Sequence, residues 1–143
     1  MALAGDTAYS RLQLVLGWAA VTMSAMLGSF FGMFAGGEGV YDGWGAFLGH
    51  LVQMLAVSLL ALASVRWPRA GGSVMALAGV GLGLAFGFNP SVAFLFAPLT
   101  IMGLLYFFGR ARPRNVAYAL IAGAPAVVTA LTALTGVLFG PGA

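Results

Sequence analysis

Residues 81–97, GLGLAFGFNPSVAFLFA, decide how many helices this chain makes. The stretch is apolar almost throughout, and only Asn89-Pro90-Ser91 interrupts it. Pro90 has no amide hydrogen to give a helix, and it biases Asn89 away from helical backbone. The tripeptide is a turn signal, so the stretch reads as the end of one helix and the start of another. The expected segments here are 71–88 and 92–109. Outside them, further apolar segments occupy 12–35, 46–65 and 116–139. At a rise of about 1.5 Å per residue, segments of this length cross a hydrocarbon core of about 30 Å, the longer ones with room to tilt.

The charge content agrees. Only 6% of the residues are charged and 62% are hydrophobic, whereas a water-facing domain carries about 25% charged residues. Lipid must cover most of the surface. The expected fold class is all-α, an integral membrane helical bundle of five transmembrane helices forming a single domain over residues 1–143. The first segment is longer than the h-region of a signal peptide, and Asp6 sits where such a peptide would be purely basic. It is expected to be a retained helix.

Orientation follows from the arginines, which supply every positive side chain. Arg11 precedes the first helix, Arg66 and Arg69 follow the second, and Arg110, Arg112 and Arg114 follow the fourth. The loop after the first helix, 36–45, carries Glu38 and Asp42 instead. With five helices all the arginines fall on one side, and merging or dropping a helix would scatter them. The positive-inside rule makes that side cytoplasmic, placing the N-terminus inside and the C-terminus outside. Arginines at helix ends give no footprint for nucleic acid.

Lipid gives helices no hydrophobic reason to associate, so close pairs need small residues. Gly28 and Gly32 share a face of the first helix, continuing to Gly36. Gly79, Gly83 and Gly87 share a face of the third, and Ala122, Ala126 and Ala130 a face of the fifth. These are the expected packing faces, toward helices of this chain or of another. The run GVGLGLAFG lies inside an apolar segment without a preceding strand and is not a phosphate-binding fingerprint. Pro98 and Pro125 each remove one helical hydrogen bond, which membrane helices tolerate when neighbours repair it.

The chain has no cysteine, which removes thiolate metal sites, iron–sulfur clusters and cysteine nucleophiles. It has one histidine, His50, at the outer end of the second helix, with Gln53 a turn deeper. His50 reads first as a structural group that hydrogen-bonds a neighbour. The functional alternatives are an axial haem ligand, a divalent-metal set of Glu38, Asp42 and His50, or proton handling. No cofactor is expected in the first reading. Thr129, Thr132 and Thr135 recur on the fifth helix, and such hydroxyls commonly bond their own helix carbonyls. No nucleophile, base and orienting group come together in the sequence, so no catalytic residue is expected.

The order of Gly37-Glu38-Gly39, Tyr41-Asp42, His50, Arg66-Trp67 and Gly71-Gly72 resembles a family of small bacterial membrane proteins of unknown function. That family shows a GEG-like turn, an aromatic–acid pair, a helix beginning near His, a W-R-W stretch and a Gly-Gly that opens the next helix. The likeness spans roughly residues 11–110. This chain departs from it at Gln53, where the family has proline, at Val65, where it has the first tryptophan, and in its added fifth helix. The resemblance implies a bacterial inner-membrane protein with a four-helix unit plus an addition, and it implies no activity. The expected function is a non-enzymatic accessory or scaffold subunit of a larger membrane complex. Its partners would be the bilayer and other membrane proteins or copies of itself. The alternatives are a small transporter or channel component, and a haem- or metal-binding protein through His50.

Overall fold

A computed structural model describes the backbone of residues 4–139, and the side chains within it except those of 4–10, 38–41, 91, 92, 94 and 95. Five helices follow one another: α1 (Ala4–Asp42), α2 (Trp44–Arg66), α3 (Pro68–Phe86), α4 (Pro90–Phe108) and α5 (Arg114–Phe139). Four of these contain stretches long and apolar enough to cross a membrane, in α1, α2, α3 and α5, and the 96–108 part of α4 is a shorter apolar helix. This is the build of a multi-pass membrane protein.

The helices meet at abrupt breaks, each with a local cause. Gly43, at φ +90°, stands alone between α1 and α2, a backbone that side chains bearing a Cβ rarely adopt. Trp67 alone separates α2 from α3, and Pro68 follows as the first helical residue, where its missing N–H costs nothing. Gly87 ends α3 in the left-handed region at φ +83°, and the Phe88 N–H reaches back to the Gly83 carbonyl at 2.8 Å. That is the six-to-one bond of a glycine-terminated helix. Pro90 then opens α4.

Two expectations change here. The loop expected at 36–45 is mostly helix, because α1 continues to Asp42. Glycines there do not end the helix, and Gly36 is held against α5 at Thr132 and Ala133. With 39 residues, α1 is about 58 Å long, well beyond a hydrocarbon core of about 30 Å. The second change is Gly87, expected on a packing face. It serves as the left-handed cap instead, and a Cβ there would meet nothing within 4 Å.

Packing follows the glycines. The antiparallel pair α3–α4 closes through Gly72 against Gly103 and Phe107, and through Gly79 against Thr100 and Phe96. Gly83 lies under the Phe88 ring. The pair α1–α5 closes through Gly28 against Pro125, Gly32 against Thr129 and Gly36 against Thr132. Gly17 meets the backbone at Arg110 and Ala111, joining α1 to the α4–α5 link. The helix α2 lies against α1, α3 and α5. Val21, Val57, Met75, Met102, Tyr106 and Ile121 are among the buried side chains at the centre.

Candidate functional site

The arginine-bearing segments come together at one end of the bundle. The Arg110 N–H donates to the Gln13 carbonyl at 2.8 Å, and the Trp18 indole N–H donates to the Arg112 carbonyl at 3.1 Å. Both bonds tie the α4–α5 link to the N-terminal half of α1. Arg66, Arg69 and Arg110 line one cleft between that link and the α2–α3 junction. Arg11, Arg66, Arg69 and Arg112 are exposed, while Arg110 and Arg114 are half-buried.

At the opposite end, His50 is half-buried on α2. Its Nδ1 lies 3.3 Å from Gln53 Oε1, one turn on, and its ring sits 5.6 Å from the Phe34 ring of α1. Asp42 is exposed at the end of α1. The Glu38 side chain lies outside the described residues, so the set Glu38, Asp42 and His50 is placed only in part. Among the described residues, no three His, Cys, Asp or Glu side chains come together as a metal site would require.

Between the two ends the interior holds a few hydroxyls and thioethers. Ser24, buried on α1, donates to the Ala20 carbonyl at 2.8 Å, which commits its single proton. The Tyr106 hydroxyl, 2.7 Å away on α4, then donates to Ser24 Oγ. Met102 Sδ lies 3.5 Å from the same oxygen. Burial of a Tyr and a Ser is tolerable because each finds a partner. Thr129, Thr132 and Thr135 return their hydroxyls to the carbonyls of Pro125, Val128 and Leu131 at 2.7, 2.8 and 3.0 Å. Ser58 Oγ is buried without a hydrogen-bond partner among the described residues. It borders Gly28 and Pro125, where α5 lacks a backbone donor.

The small-residue faces divide into two kinds. Gly28, Gly32, Gly79 and Gly83 are buried within the chain, as are Gly17, Gly72, Gly103 and Gly109. The last four lie outside the spacing-four runs. Gly72 stands out only as part of the Gly71-Gly72 pair, and Gly17, Gly103 and Gly109 only as isolated glycines. Ala122, Ala126 and Ala130 behave differently: all three are exposed. The face of α5 that meets α1 is instead Ala117, Ile121, Pro125 and Thr129, shifted by one residue. Of the four membrane-length stretches, that of α5 is the least buried, at 11%, against 33% for α1.

In comparisons with known proteins, no family model, no curated protein and no solved structure matches this chain. The likeness of its GEG, His and Gly-Gly motifs to the small membrane protein family therefore stands on those residues alone.

Proposed function

We propose that this chain is a non-enzymatic subunit of a larger assembly in a bacterial cytoplasmic membrane, crossing it five times with the arginine end inside. Its partner docks along the outward small-residue face of α5. The observation that carries this reading is the exposure of Ala122, Ala126 and Ala130 on the least buried of the four membrane-length stretches. Leu120, Val127, Leu131 and Leu134 are exposed on the same helix, and lipid alone could cover them. A row of alanines at spacing four is different, because it lets a second backbone approach closely. The partner is accordingly a transmembrane helix of another membrane protein.

The interior supports a structural role over a transport one. The threonine hydroxyls of α5 bond to carbonyls of their own helix, and the buried side chains at the centre are mostly apolar. His50 belongs to the Gln53–Phe34 contact and fixes the outer end of α2 against α1. Haem or a divalent metal at His50, the rival reading, needs ligands that the described residues do not gather.

The test is the triple variant A122L/A126L/A130L, extracted in mild detergent and run on a native gel. All three positions are exposed, so the bundle itself should fold as before. The expected result is loss of the large complex with a normally folded free chain. A complex of unchanged size in the folded variant would refute the reading.

A further inference from the structure

The arginine end contains more than a topology signal. Two adjoining clefts open there, one of about 460 Å³ lined by Arg66, Trp67, Pro68, Arg69, Ala70 and Arg110. The second, of about 200 Å³, adds Gln13, Phe107 and Phe108 to Arg69 and Arg110. Arg69 and Arg110 are shared by both, so the two cavities are parts of one basic groove. The α2–α3 junction supplies one wall and the α4–α5 link the other. Hydrogen bonding fixes the second wall, since the Arg110 N–H is held by the Gln13 carbonyl and its guanidinium donates to the Gly109 carbonyl at 2.8 Å. The first wall is the start of α3, which has no side-chain cap. The charge of the groove comes from its three guanidiniums, because α2 ends where α3 begins and their dipoles oppose each other at this junction.

Among the described side chains no carboxylate lines either cleft. Asp42 lies at the far end of α1, and the Asp6 side chain is outside the described residues. Like charges gathered around a cavity repel one another unless an anion joins them. Phe107, Phe108 and Trp67 supply apolar rims. Trp67 is exposed beside Arg66, whose guanidinium carbon stands 5.8 Å from its ring. A basic groove with an apolar rim, at the end of a membrane-spanning bundle, matches a phosphate joined to hydrocarbon.

We propose that this groove binds a phosphate group, and that its source is the headgroup of an anionic membrane lipid, held by Arg66, Arg69 and Arg110. Arginine forks pair with phosphate oxygens two at a time, and basic pockets between helices on the cytoplasmic side suit such headgroups. The proposal rests on this end lying at a membrane surface and is independent of the assembly role of α5.

The experiment is native mass spectrometry of the full chain released from nanodiscs of mixed phosphatidylglycerol and phosphatidylcholine. The wild type is expected to retain phosphatidylglycerol selectively. Each guanidinium removed from contact with the phosphate should cost about tenfold in affinity, so R69Q/R110Q should lose about a hundredfold. R112Q/R114Q removes two charges at the same end but outside the clefts, and should keep its lipid. Equal retention by the folded R69Q/R110Q protein, or equal loss from both variants, would overturn the site. R69K/R110K keeps the charge but loses the paired donors, so it should hold the lipid more tightly than R69Q/R110Q and less tightly than wild type, which separates lost recognition from lost folding. If millimolar inorganic phosphate displaces the lipid, free phosphate is the ligand and the lipid assignment falls.

Discussion

Gly79 and Gly81 stand two residues apart on α3 and face different surroundings, so alanine at each should move stability in opposite directions. A Cβ at Gly81 would meet nothing within 4 Å. Alanine is favoured over glycine inside a helix by about 1 kcal/mol, so G81A should stabilise by about 0.5–1 kcal/mol. At Gly79 the same carbon would lie 2.7 Å from the Thr100 amide nitrogen and 2.9 Å from the Phe96 carbonyl oxygen. It would also press on the Thr100 hydroxyl, which is held by that carbonyl at 2.8 Å. Ordinary contact for carbon is about 3.5–4.0 Å, so α4 must retreat by roughly 0.8 Å. A gap of that size forfeits about a quarter to a half of the dispersion energy along the opened seam. Overpacking of this kind costs about 1–3 kcal/mol. After the helix-propensity gain of about 1 kcal/mol, G79A should be destabilised by up to about 2 kcal/mol. The assay is reversible unfolding of both variants in mixed micelles, with wild type alongside. If G79A is as stable as G81A, the close α3–α4 seam described above is wrong.

Three further outcomes are expected. S24A removes the acceptor of the buried Tyr106 hydroxyl and should cost about 1–3 kcal/mol. Y106F, which leaves Ser24 bonded to Ala20, should cost less, and unfolding in detergent reads the order. Because the chain has no cysteine, single cysteines can report sidedness. W44C should react with an impermeant maleimide in intact cells and W67C only after lysis, and the reverse pattern would invert the topology. H50A loses the exposed contact with Gln53 and the ring contact with Phe34, so its stability should stay within about 1–2 kcal/mol of wild type. Elemental analysis should show no metal lost on that substitution, and a stoichiometric metal that disappears with His50 would contradict the structural role.

Much of the architecture was legible because a few residues act as punctuation. Pro90 and the single-sided arginines gave the division into five helices, and Gly28, Gly32, Gly79 and Gly83 marked backbones that come close. The rest was hidden for physical reasons. In water, Gly36-Gly37 would weaken a helix. Here Gly36 is seated on α5, and the closeness of that contact replaces propensity. Gly87 shares the spacing of its neighbours, but its φ of +83° assigns it to the end of α3, and no periodicity carries a dihedral angle. The faces of α5 were the hardest to read. Ala122, Ala126 and Ala130 have the same spacing as Ile121, Pro125 and Thr129, and lipid is as apolar as a protein interior. Hydrophobicity therefore cannot say which row turns inward. Arg69 and Arg110 are far apart in sequence, and only the fold brings them to one groove.

The outward face of α5 is tested best by a photo-crosslinking residue placed at Ala126 and, in a second chain, at Leu77, an exposed position on α3. Irradiation is done in native membranes, and the products are sized and identified by mass spectrometry. A single discrete protein adduct at position 126, to a transmembrane segment of another protein and absent at 77, is the expected result. Lipid adducts alone at both positions would contradict the assembly role and leave α5 as a helix that faces only the bilayer.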